Sequence, residues 1–598
     1  MLKVVKALII FFVVLCIGSQ AKSQNHAEVI YWLDQNVIKI KTVEAGNDFN
    51  DLMPMKEFLK EARIVALGEA THGTKEFFQM KHRMLEFLVK EMGFRCFAME
   101  ANFTESFAVN DYVMHGKGDP QKALKGLYFW TWDTKEVLAM LLWMRDYNKD
   151  KQDKEKVRFY GFDMQTPQVA SRELQKYLLQ VDSGFAAIML PLFNNIKKIP
   201  EGPDSSFISR HITKNAELLK VIRERFDKEK NLYTGKSDQN EFKVAWKNMD
   251  LIAQYFELIS AKGENAQAQV RDRCMSENVK WLLNHEGDST KFVLWAHNGH
   301  IAKDVIDRDG LTMGYHLSKF YGKQYYALCF DFYKGGFQAM DPAKGPIEYN
   351  YELNKNSTGY IFSKARYDNF FFDFQKAFGK KEVKQFLNDS IPSICIGALF
   401  SNSGADSFYI KSPLAKIYDG MIFIRNTHRA EPNSGSGVFD DFGNMMSRVP
   451  AEKYAGKEFK FSAWLKVGKE TSDGQGQLWS RVDKKDKSMG FFDNMSDRPV
   501  TSKDWNYCEI NGLVDKDATF LYFGSMLIGT GELFVDDISL SYKENDQWFP
   551  IELPDPTFEN GEVGKKPETW YVWDKTYKIL VTDETSHGGK KSLKFEKQ

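Results

Sequence analysis

Eleven histidines are spread over 598 residues, yet His297 and His300 fall within four positions of each other at the end of the run VLWAHNGH, residues 293–300. A second run, RIVALGEATHG at 63–73, sets Glu69 three residues before His72. In a turn, a carboxylate and an imidazole at that spacing can share a hydrogen bond. The carboxylate then orients the ring and raises its basicity, which suits it to take a proton from water. A third apolar run, CFAM at 96–99, ends at Glu100. Five acid, base or imidazole groups, Glu69, His72, Glu100, His297 and His300, thus follow three separate apolar runs. Asp163 and Asp331 stand in similar places and are weaker candidates, because a cap or turn explains them equally well. Two histidines and two glutamates are also ligands that zinc or manganese accepts, so a metal-dependent hydrolase using the same groups is an open alternative.

The elements that must position these groups are buried strands, read from runs rich in β-branched and aromatic residues at 63–67, 95–99, 157–162, 291–296, 325–330, 393–399 and 421–424. Most are apolar on both faces, as in a largely parallel sheet covered by helices on both sides. Helical patterns lie between them at 76–92, 134–148, 171–181 and 267–284. The reading is an α/β domain over 27–429 with an all-helical insertion at about 167–287. Groups at the carboxyl ends of such strands face the crevice where ligands bind, and Gly68 allows a tight turn into a helix whose amino-terminus offers free backbone donors. Nucleophilic serine has no GxSxG elbow here, and no cysteine stands beside these motifs in the sequence, which favours direct attack by water.

From about residue 430 the texture changes to short alternating segments rich in Gly, Asp and Trp: FKFSAWLKV, LWSRV, DWNYCEI, LYFGSML and GELFVDDISL. That is the pattern of an all-β sandwich spanning 430–598, joined through the flexible run RAEPNSGSG. Trp464, Trp479, Trp505, Trp570 and Trp573 are able to stack on sugar rings, but core positions are the commoner use of tryptophan.

Lys plus Arg and Asp plus Glu are equal at 81 each, so no basic excess points to nucleic acid. With 43% hydrophobic and 14% aromatic residues the chain can fill two or three cores. Its first 23 residues have the parts of a secretory signal: Lys3 and Lys6, an apolar run too short for a permanent anchor, then Ser19-Gln20-Ala21. Export to the periplasm or beyond is the expectation, with no transmembrane segment after cleavage. Lipid attachment at Cys16 is disfavoured by Leu15 before it. The remaining cysteines, Cys96, Cys274, Cys329, Cys395 and Cys508, lack CxxC spacing and do not form a disulfide framework.

GEATHG, the KHR helix, AMEAN, GFDM, RDRCMSEN and AHNGH, in that order, resemble the erythromycin esterase family over about 62–424. The resemblance implies hydrolysis of an ester or macrolide lactone without a cofactor, as in antibiotic resistance. It implies His72 as general base, Glu69 and Glu100 orienting base or water, and His297 and His300 binding substrate or the developing oxyanion. Nine residues after the base, esterases of the family carry an arginine where this chain has Lys81, which is expected at the site's edge as a substrate contact. A non-catalytic surface protein holding a ligand or haem at the same sheet edge is a further alternative. The C-terminal segments resemble a carbohydrate-binding, galactose-binding-like sandwich whose opening strands come last, as in a circular permutation, with a glycan as a possible partner.

Overall fold

The structure, a computed structural model, describes residues 26–197, 199, 205–306, 310–341, 345–433, 442–468, 474–485, 489–495, 498–573 and 577–597. The signal-like segment and part of the RAEPNSGSG connector lie outside the described residues. The chain divides into two compact units, 1–197 with 210–435 and 198–209 with 436–598.

In the first unit the strands are β1 (Ile38–Lys39), β2 (Ile64–Leu67), β3 (Cys96–Asn102), β4 (Arg158–Asp163), β5 (Phe292–Trp295), β6 (Tyr325–Asp341), β7 (Gly345–Glu352), β8 (Asn369–Asp373), β9 (Ser393–Ile394), β10 (Tyr409–Ile410) and β11 (Gly420–Thr427). Nine of them form one sheet in the order β1-β8-β11-β6-β2-β5-β3-β4, with β7 on the far part of β6. The six from β11 to β4 run parallel, while β8 runs antiparallel at one side. Strands β2 and β5 are buried at every position, as a parallel sheet covered on both faces requires. The helices include α1 (Lys75–Met92), α2 (Lys135–Asn148), α3 (Gln168–Val181), α4 (Ser205–Lys228), α5 (Gln239–Ser260) and α6 (Glu264–Glu286). Among the described residues the stretch from α3 to α6 holds helices and no strand.

Two sequence expectations change. The apolar run 393–399 does not form a strand of the main sheet: Ser393–Ile394 pairs with Tyr409–Ile410, and beyond it Ile396 and Leu399 make single parallel bridges to Thr71 and to Met340 on β6. The run NFFFD, unassigned from sequence, is β8, pairing both β11 and β1.

The second unit is all-β. Its strands are β12 (Phe442–Pro450), β13 (Glu458–Val467), β14 (Gln475–Lys484), β15 (Met489–Asp493), β16 (Asn506–Leu513), β17 (Ala518–Ile528), β18 (Glu532–Glu544), β19 (Gln547–Ile551), β20 (Tyr571–Trp573), β21 (Tyr577–Thr582) and β22 (Ser592–Lys597). They form a five-stranded sheet, β15-β14-β17-β12-β20, and a six-stranded sheet containing β16-β13-β18-β22-β21 with β19 on β18. The C-terminal strands enter both sheets, β20 on β12 and β22 on β18, and so cover edges that would otherwise stand open. Trp479 and Trp570 are buried, Trp464 stacks on His587 at 3.8 Å, and Trp573 is 48% exposed. Among the described residues no helix is long and apolar enough to cross a membrane.

Candidate active site

Strands β2, β5 and β3 are adjacent, and Leu67 and Met99 both sit opposite Trp295. Strands β2 and β5 end at this rung and β3 parts from β5 there, running on beside β4, so Glu69, Glu100 and His297 come side by side. Gly68 makes this possible by close approach: a Cβ there would lie 2.1 Å from Asn298 Oδ1. Asn298 ties the bundle together, donating to Phe330 O on β6 at 2.8 Å while its backbone N–H donates to Glu69 O at 2.9 Å.

Glu69 is fully buried and takes three side-chain donors. His72 Nδ1–H donates to Oε1 at 2.7 Å, while Lys81 Nζ at 2.7 Å and Trp295 Nε1–H at 2.8 Å share Oε2. A carboxylate accepts only, so the bond to His72 fixes the ring as the Nδ1–H tautomer and leaves the Nε2 lone pair basic. The His72 side chain is 12% exposed, and among the described residues Nε2 has no hydrogen-bond partner. Lys81, expected as a substrate contact at the edge, is fully buried on α1, its ammonium 4.3 Å from the Trp295 ring centroid. Burial drags its pKa down to about 8 although Glu69 opposes the shift. Its place is behind Glu69, holding the carboxylate that holds the base.

His297 lies against His72, ring centroids 4.8 Å apart. Its Nε2 is 3.0 Å from Ile396 O, in the loop that sequence reading took for a strand. A carbonyl only accepts, so Nε2 carries the proton, and Nδ1 accepts from Gly299 N–H at 3.4 Å. Burial, with the neighbouring His72 and His300, holds His297 well below the ordinary imidazole range, so the ring is neutral. The same loop brings Cys395 Sγ within 3.8 Å of His297 Nδ1. The expectation that no cysteine stands beside these motifs is thus corrected: the neighbour comes from 98 residues away in sequence.

The other two groups, Glu100 and His300, belong to a second cluster. Glu100 accepts from the His297 backbone N–H at 2.9 Å and from Arg271 at 2.8 Å, and lies 3.3 Å from His300 Nε2. His300 Nδ1 donates to Asp272 at 2.8 Å. Arg271 also grips Asp163, with Nη2 at 2.6 Å from Oδ2. Burial works against every charge here. The attraction of His300 and Arg271 nevertheless keeps Glu100 well below the usual carboxylate range. Asp272 and Glu100 in turn raise His300 to about 10, so it is an imidazolium at neutral pH. Sequence reading missed Arg271 and Asp272, which stand on α6 in the run RDRCMSEN, and missed Trp295 as a donor. Asp331, the other lesser candidate, is buried in a hydrogen bond from Thr358 at 2.7 Å, and burial pushes it up to about 7.

His297 Nε2–H and His300 Nδ1–H are therefore committed to Ile396 O and Asp272, and His300 Nε2 faces Glu100 at 3.3 Å and Arg271 Nη1 at 3.2 Å, so neither ring is free to meet an oxyanion as arranged. The first helical amide of α1 is also used, Lys75 N–H donating to His428 O at 2.9 Å. Among the described residues no group of three or more His, Cys, Asp or Glu side chains is arranged to hold a metal ion.

A carboxylate-oriented imidazole with a free basic nitrogen, at the carboxyl ends of parallel strands, is a water-activating arrangement. Residues 89–427 match the erythromycin esterase family. The chain belongs to that family. It is 26% identical to the erythromycin esterase type II of Escherichia coli, over 67% of this chain and 98% of that relative. It is 24% identical to the putative hydrolase YbfO of Bacillus subtilis strain 168, over 51% of this chain and 72% of that protein. Among solved structures, a Bacillus cereus protein superposes with a TM-score of 0.60 at 28% identity, covering 68% of this chain and 99% of its own. The family match lies within the α/β unit, and an erythromycin esterase-like hydrolase family is what it supports.

Proposed function

We propose that this chain is an exported ester hydrolase in which His72 activates water for direct attack on a carboxylic ester or lactone, with no covalent enzyme intermediate. The observation that carries this reading is the Glu69–His72 hydrogen bond at 2.7 Å, which leaves Nε2 as a base without a partner among the described residues, on a side chain that is 12% exposed. Water on Nε2 gives its proton to the ring as its oxygen bonds to the carbonyl carbon. The tetrahedral intermediate then expels the alcohol, which takes the proton from the His72 imidazolium. Neutral His297 packs the base in place, and the Glu100–Arg271–His300 cluster anchors the His297 turn through its backbone N–H.

A neutral or amphiphilic ester suits the balanced charge of the chain. A macrolide lactone is one such substrate, and an acylated glycan is another that an exported enzyme with an appended sandwich would meet. The test is hydrolysis across a panel of macrolides and acylated glycans. His72→Ala should abolish turnover while thermal unfolding stays within a few degrees of the native protein. Native rates in that variant would end the proposal. Fractionation of expressing cells tests export, and affinity of the protein for a glycan panel tests the sandwich as a sugar-binding module.

A further inference from the structure

Every charged or imidazole donor around His72 is already engaged: Lys81 with Glu69, Arg271 with Glu100 and Asp163, His297 with Ile396, and His300 with Asp272. The Trp295 indole N–H is spent on Glu69. Trp132 differs. It is 2% exposed, and its indole Nε1 is buried without any hydrogen-bond partner. Buried donors without acceptors are rare in folded proteins, and each one asks for a reason. This one stands beside the base. The Trp132 ring meets His72 edge to face, centroids 6.2 Å apart at 81°, and closes an aromatic wall with Trp295 at 5.8 Å and Phe78 at 6.4 Å.

The position of Trp132 is fixed from both sides. Its carbonyl accepts from Thr134 N–H at 2.9 Å, and Thr134 caps α2 through Oγ1, which accepts from Val137 N–H at 3.3 Å. The segment after β11 fastens the same turn: Lys135 N–H donates to Glu431 O at 2.7 Å, and Asn433 N–H to Asp133 O at 3.1 Å. A rigidly held, unpaired and neutral N–H beside the base is the kind of donor that stabilises developing negative charge in an oxyanion hole. An indole N–H is neutral and only donates, so it favours a carbonyl oxygen over a cation or a second donor.

We propose that the Trp132 indole N–H is an oxyanion donor of this site, taking the ester carbonyl oxygen as water is delivered from His72. This rests on the hydrolase reading above, and the experiment separates the two. The assay ester is p-nitrophenyl butyrate, and the tetrahedral probe is butyl methylphosphonate. Trp132→Phe keeps an aromatic ring and deletes the N–H. It should lower kcat about 10²-fold with KM nearly unchanged and with the shape of the pH profile intact. In native protein labelled with ¹⁵N at tryptophan, the indole resonance missing from Trp132→Phe should move downfield on saturation with the phosphonate. Native kcat in Trp132→Phe, or an indole resonance unmoved by bound phosphonate, overturns the proposal while an inactive His72→Ala keeps the hydrolase reading standing. Should Trp132→Phe fold poorly, the native resonance, assigned by its nuclear Overhauser contact with the His72 ring, decides alone. A native protein that neither cleaves the ester nor binds the phosphonate sinks both readings.

Discussion

Replacing Glu69 by Gln changes one oxygen to a nitrogen, and the local geometry leaves the amide no good orientation. If its oxygen stays on His72 Nδ1–H, the NH₂ group faces Lys81 Nζ and Trp295 Nε1–H, two donors that now sit 2.7 and 2.8 Å from a third. If it turns, oxygen satisfies Lys81 and Trp295, and the NH₂ group faces His72 Nδ1. The imidazole then has to hold its proton on Nε2, the atom required as base. The second orientation keeps both buried donors paired and should win, because an unpaired buried donor costs about 1–3 kcal/mol. The ring is then locked in the wrong tautomer. An orienting carboxylate exchanged for its amide in this way lowers kcat about 10⁴-fold in serine protease triads. That is about 5.4 kcal/mol of barrier at about 1.36 kcal/mol per decade. Unfolding stability should fall far less, by about 1–2 kcal/mol, since every donor except one finds an acceptor. The assay is kcat for ester hydrolysis beside the ¹⁵N shifts of the His72 ring, which report the protonated nitrogen. A kcat within tenfold of native, or a ring still protonated on Nδ1, would refute the tautomer argument.

Lys81→Arg should remove an inflection near pH 8 from the kcat profile. The buried lysine loses its proton near that pH and releases Glu69, whereas arginine stays charged; an unchanged inflection assigns it to another group. The same depressed pKa makes burial of Lys81 unfavourable below about 8 and relieves that penalty as pH climbs toward 10.5. Urea midpoints of Lys81→Met should therefore lack that rise. His300 has the opposite sign. Its pKa is raised to about 10, so its contribution to stability is complete below about 6.5, the unperturbed imidazole value, and drains away as pH rises toward 10. His300→Gln should flatten that fall, and a fall equal to native would dismiss the ion cluster as its source. Arg271→Gln strands Glu100, Asp163 and Asp272 with one cation, and should lower stability by about 3–5 kcal/mol, read from denaturant unfolding.

The groups that sequence reading located all share one local signature: a polar residue just past a short run buried on both sides. Such a run has few alternatives to a central parallel strand, so its end is fixed to a residue or two, and the emerging Glu69, Glu100 and His297 are fixed with it. Charges on helices carry no such signature. Lys81, His82, Arg83 and Glu86 follow one another on α1 as a solvated face would, yet all four are buried. Arg271 and Asp272 stand among polar neighbours on α6, and only the fold turns them onto Glu100 and His300. Tryptophan misleads the other way. Counted as apolar, Trp295 reads as a strand's core residue, while its N–H is one of three donors on Glu69. The run 393–399 reads as a strand, and Ile394 and Ile396 are indeed buried, but the hydrogen bonding of Ile396 goes elsewhere, its carbonyl to the His297 ring and its N–H to Ala70 O. That diversion is what sets the tautomer of His297. Sequence periodicity records which side chains avoid water; it does not record where a backbone carbonyl is spent. Here one such carbonyl decides whether the imidazole next to the base presents a donor or an acceptor, and so whether the carbonyl oxygen of a substrate has to look to Trp132 instead.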